Sequence, residues 1–184
     1  MSWSASCSAT KFVRLSVYAA ACVAAAVFLS ACTTTVRTSP LNLELGSAAV
    51  SHLPPRAVTL LNGHATESEL RFSMPPHTLI VEPKQMTETA IAMLRRGLDR
   101  YLPPRGKAAA KRVTLRVTSP RSAGAYPNPG VAISLEAVFG DGTRTLVNGQ
   151  GYSVRGADRS FEAAILNALN QLLGDQRFVA YMKR

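Results

Sequence analysis

Alternation of apolar and polar residues at a period of two is strongest in the second half of the chain. In "RVTLRVT" (residues 112–118), Val113, Leu115 and Val117 fall to one side and Thr114, Arg116 and Thr118 to the other, the pattern of a half-buried strand. "VAISLEAVF" (131–139) alternates again, "GDG" (140–142) has tight-turn chemistry, and residues 143–154 are expected to return antiparallel. Three shorter strand candidates precede these: "AVTLL" (57–61), "ELRFSM" (69–74) and "TLIVE" (78–82), separated by "NGH" and "PP" breakers. Between the two groups the period changes to that of a helix. Over residues 85–102, Ile91, Leu94, Leu98 and Tyr101 or Leu102 recur every three or four positions, Arg96 and Arg100 face away, and "PPRG" stops the run. A second helix is predicted over 161–173, with Phe161, Ile165, Ala168, Leu169 and Leu172 on one side and Asn167, Asn170 and Gln171 on the other. Asp158 or Ser160 can cap it, Gly174 ends it, and Asp175 can start a short last helix through "RFVAYM". The expected class is α+β: an antiparallel sheet with two main helices packed on one face and a short C-terminal helix.

The N-terminus follows neither period. Before Leu15 the chain carries Lys11 and Arg14 and no acidic residue, and the apolar run "LSVYAAACVAAAVFL" extends from Leu15 to Leu29. A basic segment followed by a short apolar one is the layout of a secretory signal peptide. The run falls short of the roughly 20 residues that a membrane-spanning helix needs. Leu29, Ser30 and Ala31 then lead into Cys32. This resembles the bacterial lipobox, and the resemblance implies cleavage between Ala31 and Cys32, a thioether-linked diacylglycerol on Cys32 and acylation, typically palmitoylation, of the new amine. Ordinary signal cleavage beside a coincidental cysteine is the plainer alternative. Two or three acyl chains, at about 0.8 kcal/mol for each buried CH2, hold a protein to a bilayer far more firmly than one. Thr33, where an inner-membrane lipoprotein would carry Asp, points by analogy to the outer membrane of a Gram-negative host.

Processing at Cys32 changes the rest of the reading. It leaves a mature chain from Cys32 to Arg184 and, with Lys11 and Arg14 gone, takes the formal charge from +10 to +8. Cys7, Cys22 and the single tryptophan, Trp3, leave with the leader, so the mature chain would have no disulfide in an oxidising compartment. Residues 32–55 are rich in Thr, Ser, Ala and Pro with little periodicity. They are expected to form a lipidated flexible tether, with a short strand at "LNLEL" (41–45), ahead of a single periplasmic domain over 56–184.

Two stretches, "TLIVEPKQMTETAIAMLRRGLDRYL" and "VNGQGYSVRGADRSFEAAILNALNQLLGDQRFVAYMK", resemble the YajG-like family of small Gram-negative outer-membrane lipoproteins. The first is a strand running straight into an amphipathic helix. The second is a strand ending in Tyr-x-Val, then a small-residue turn and two helices. The resemblance begins close to Thr78 and continues to the end of the chain. It implies an envelope lipoprotein of this α+β layout and no catalytic residue.

Nor do the residues themselves supply one. His52, His64 and His77 stand in loop-like contexts, and the chain has no His-Glu-x-x-His, no Cys/His cluster, no Gly-x-Ser-x-Gly and no phosphate-binding glycine loop. No enzyme activity, metal or cofactor is expected. Asp141 reads as a turn residue sooner than as an ion ligand, and the glycines of "NGQG" (148–151) as a bulge or a helix–sheet contact sooner than as a place for a ligand to approach the backbone. One feature has binding content. Nine basic residues lie between Arg95 and Arg121 against one acidic residue, Asp99. Within them Arg96, Arg100, Arg105, Lys107, Lys111, Arg112 and Arg116 are the candidate contacts for an anionic ligand, lipopolysaccharide or anionic phospholipid. A solvated basic surface is the plainer reading. Nucleic acid fits the charge but not the compartment, and no aromatic platform is interleaved with the arginines as single-strand binding requires. Two functions follow: a non-catalytic accessory subunit docked on an envelope protein complex, or a binding module for anionic lipid.

Overall fold

The computed structural model describes residues 32–184 apart from Leu41, Asn42, Pro75, Pro76, 105–109 and 124–129, with Cys32, Met74 and His77 described by backbone alone. Residues 1–31, where a leader ending at Ala31 is expected, lie outside the described residues. The elements in order are β1 (Cys32–Thr35), α1 (Ser47–Val50), β2 (Val58–Asn62), β3 (Leu70–Met74), β4 (His77–Val81), α2 (Pro83–Tyr101), β5 (Lys111–Ala123), β6 (Gly130–Phe139), β7 (Arg144–Gly151), α3 (Ala157–Gly174) and α4 (Gln176–Lys183).

The α+β class is as expected, but the strands form two sheets. One is ordered β1-β4-β3 and the other β2-β5-β6-β7. The expectation of a purely antiparallel sheet is corrected at two places, where β1 runs parallel to β4 and β2 parallel to β5. Parallel pairing needs a crossover, and α2 supplies it between β2 and β5. The sheet is also longer than its alternation suggested. Residues 119–123, expected in a flexible connection, continue β5 past Pro120. A bulge makes this possible: the register shifts between Thr118 and Arg121, and Ser119 takes φ 49°.

Val113, Leu115 and Val117 point into the core, as their alternation required, and register places Phe139, Ala137 and Leu135 opposite them. Helices α2 and α3 cover this face. Pro83 opens α2 in its first turn, where its missing N–H costs nothing. Thr87 then donates to the Pro83 carbonyl at 2.8 Å and accepts from the Val117 N–H at 2.8 Å, fixing the helix start to β5. Helix α3 begins ahead of its apolar pattern, at Ala157, and neither Asp158 nor Ser160 caps it. The cap position is Gly156, whose φ of 112° suits glycine alone. Asp158 instead accepts from the Arg37 N–H, and Ser160 donates back to the Gly156 carbonyl. Asp175 does cap α4, accepting from the N–H groups of Arg177 and Phe178.

The largest departure is in the expected tether. Residues 36–40 and 43–53 form a strap that packs along both helices. Val36, Leu45, Val50 and Leu53 are buried within it, at 0–4 % exposure, each contributing roughly 1.5–3 kcal/mol of burial. Against α2, Thr38 bonds Thr89 at 2.8 Å, Arg96 donates to the Pro40 carbonyl at 2.7 Å, and Arg100 pairs with Glu44 at 2.6 Å. Against α3, Ser39 N–H donates to Glu162 at 2.9 Å and His52 bonds the Leu173 carbonyl at 2.9 Å. Leu45 lies against Gly97, and the seam there holds about 10 Å³, hardly the room one water needs. Of the expected strand at 41–45 only residues 43–45 are described, and they pair with no strand, Leu45 filling this seam instead.

Candidate functional site

Five of the seven candidate basic residues lie among the described residues, and they do not converge. Arg96 and Arg100 hold the strap to α2. The Arg100 guanidinium also sits 5.5 Å from the centre of the Tyr101 ring. Lys111 lies 4.8 Å over the Tyr181 ring, and the Tyr181 hydroxyl accepts from the N–H groups of Arg112 and Gly140 and donates to the Arg112 carbonyl. Arg112 and Arg116 are exposed on the alternate positions of β5. Those positions point to the outer face of the sheet, away from α2, so helix and strand arginines cannot meet on one ligand. Arg105 and Lys107 lie outside the described residues. A sequence cluster has become two separate surfaces.

Two further features were not legible in the sequence. The first is a cleft of about 130 Å³ between the end of α2 and the start of β2, lined by Arg56, Arg95 and Asp99 with Leu60, Leu98 and Leu102. Its two arginines are remote from one another in the chain, and only the antiparallel course of α2 over β2 joins them. The second is the outer side of β7. Leu146 is 60 % exposed, Tyr152 48 % and Val154 85 %. Leu146 shares the parity of Arg144 and Asn148, which also face outward on β7, while Tyr152 and Val154 follow just beyond the strand's end at Gly151. Beside them Glu136 on β6 pairs loosely with Arg144, at 3.9 Å. Apolar side chains displayed at the edge strand of a sheet suit a protein contact.

The histidines serve structure where they are described: His52 bonds Leu173, and His64 bonds the Val117 carbonyl at 2.9 Å. Among the described residues no group of three or more His, Cys, Asp or Glu could hold a metal, and no helix is long and apolar enough to cross a membrane. Asp141 behaves as a turn residue. It accepts from the Thr143 N–H at 3.0 Å, and that bond, with the nearby Arg184, holds its carboxyl below the usual range.

The residue proposed to carry lipid is the first of the described residues. Cys32 is the first residue of β1 and pairs in register with His77, which pairs in turn with Met74 across the β3–β4 hairpin. The segments 32–36 ("CTTTV") and 72–81 ("FSMPPHTLIV") contain no Asp, Glu, Lys or Arg.

No family model matches this chain, and no curated protein does. Among solved structures it is similar to the crystal structure of protein XCC0632 from Xanthomonas campestris, of family DUF330. The identity is 13 %, over 77 % of this chain and 90 % of that one, with a TM-score of 0.37, a likeness too distant to transfer a function.

Proposed function

We propose that this protein is a membrane-anchored bacterial lipoprotein, YajG-like in its layout, that acts without catalysis as an accessory subunit of a cell-envelope assembly for transport or envelope maintenance. Acylated Cys32 holds it in the outer membrane, with the domain facing the periplasm. The observation that carries this reading is the agreement in register of basic segment, short apolar run and Leu-Ser-Ala-Cys. The exposed Leu146, Tyr152 and Val154 support a protein partner, since an apolar contact of this kind would outlast high salt. An anionic-lipid module is the second reading. It is weakened because Arg96 and Arg100 already have partners within the chain.

The test is crosslinking of the full-length, C-terminally tagged protein in its native envelope, with the mass of the N-terminal peptide measured on the same sample. One dominant envelope protein at fixed ratio, resistant to high salt and lost in Leu146→Asp or Val154→Asp, supports the accessory subunit. Recovery of lipopolysaccharide or phospholipid alone would replace it with the lipid module. In that case salt-sensitive binding should be lost when Arg96, Arg100, Arg105 and Lys107 become Ser. An unmodified Cys32 overturns the anchor.

A further inference from the structure

A lipoprotein with a flexible tether holds its domain off the bilayer in no fixed orientation. The strap leaves no such freedom. Thr33, Thr34 and Thr35 alone separate Cys32 from Val36, which is buried and whose N–H donates to the Ile80 carbonyl at 2.8 Å. Fully extended, that step spans at most about 14 Å. Those threonines are themselves strand residues, paired with Thr78, Leu79 and Ile80. Beyond Val36 the chain is bound at once, by Arg37 to Asp158, Thr38 to Thr89 and Ser39 to Glu162. No free linker remains in which the domain could turn.

We propose that the acylated chain seats this domain directly on the bilayer, with the Cys32 end of β1, the Met74 end of β3 and the His77 end of β4 at the level of the lipid headgroups. The proposal rests on acylation of Cys32. Neighbouring strands lie about 4.8 Å apart, so the Cα atoms of His77 and Met74 fall within about 10 Å of Cys32 across the sheet. They cannot stand far from a headgroup region that holds the Cys32 lipid. The composition of this end agrees, for the segments 32–36 and 72–81 bring no formal charge to the interface, and so none has to be desolvated there. The first charges on these strands stand back from it, at Arg37 and at Arg71, which pairs with Glu69 at 3.6 Å.

Strand β3 provides the ruler. Arg71 and Ser73 are exposed at alternate positions of the strand and Glu69 is exposed just ahead of it, with Ser73 about 7 Å nearer to the bilayer than Arg71 and Glu69 farther back still. With Cys32 blocked by lipid, a cysteine introduced at any of them is the only free thiol in the mature chain. Processed protein carrying Ser73→Cys, Arg71→Cys or Glu69→Cys would be labelled with an environment-sensitive fluorophore. It would then be reconstituted in phosphatidylethanolamine/phosphatidylglycerol vesicles containing a shallow nitroxide lipid. Thr143→Cys, in the turn between β6 and β7 beside α4, is the distant control. The expected result is graded quenching, severalfold stronger at 73 than at 69, intermediate at 71 and near zero at 143, with iodide accessibility in the reverse order. An acylated N-terminal peptide with a flat profile at 69, 71 and 73 overturns the seating and leaves the anchor standing. A peptide without acyl mass overturns both.

Discussion

Helix α3 meets the sheet through glycine, whereas α2 meets it through leucine. At Gly149 an added Cβ would collide with the Ala164 carbonyl oxygen, and at Gly151 with that of Ser160. The backbones of β7 and α3 are therefore in direct contact. On the other side Leu60 and Leu98 hold α2 away from β2, and the spacing leaves the cleft with Arg56 and Arg95 at its rim. One half of the layer is closed by backbone contact and admits no adjustment. The other is propped on side chains and has room. The strap is bonded to both helices, so it ties the closed half to the open one.

The contrast can be broken most severely at its tightest point. Gly149→Val should push α3 off β7 and cost about 3 kcal/mol or more, read from urea melts; a loss below about 1 kcal/mol would mean that the helix can ride outward freely. Next is the strap itself. Leu45→Ala should cost about 3 kcal/mol, within the range for fully buried leucines. A negligible change would restore the flexible tether. Glu162, 1 % exposed, accepts from the Ser39 N–H and from Arg159. Arg159 is 37 % exposed, which discounts the pair, so Glu162→Gln should cost about 1–2 kcal/mol by the same melts.

The arginines sharpen the comparison at a smaller scale. Arg112→Ser and Arg116→Ser, on the outer face, should leave stability within about 0.5 kcal/mol. Arg96→Ser should cost about 1 kcal/mol, because it removes the bond to the Pro40 carbonyl. Equal losses at all three would contradict the division into strap and surface arginines. The smallest effect is at the exposed β6–β7 turn. Asp141 has its pKa lowered on folding, so its contribution is present above the unfolded value, about pH 4, and fades as pH falls through the folded one. Melts at about pH 3 and pH 6, on either side of that value, should show a slightly flatter acid response in Asp141→Asn.

The strands and long helices were legible because each depends on a period repeated over a short stretch of chain. The alternation of Val113, Leu115 and Val117 carries its own orientation, and so does the spacing of Ile91, Leu94 and Leu98. The extension of β5 was hidden because proline ordinarily ends a strand, and the bulge at Ser119 that accommodates Pro120 has no sequence signal of its own. The strap was hidden for a different reason. Val36, Leu45, Val50 and Leu53 follow no period, and the helices that hold the strap lie far along the chain, with Thr38 bonded to Thr89 and Ser39 to Glu162.

By itself the sequence determined the strand or helix character of β2–β7 and α2–α4 and the core face of β5, and it set out a lipobox-like pattern behind a basic and an apolar segment, since each is a local pattern of polarity, size or charge. Only the tertiary structure decided where those elements face. It separated Arg96 and Arg100 from Arg112 and Arg116, because a helix laid on one side of a sheet leaves alternate strand residues on the other. It also turned residues 36–40 and 43–53, expected as part of a tether, into a strap that contributes Val36, Leu45, Val50 and Leu53 to the core, because burial depends on what lies opposite in space.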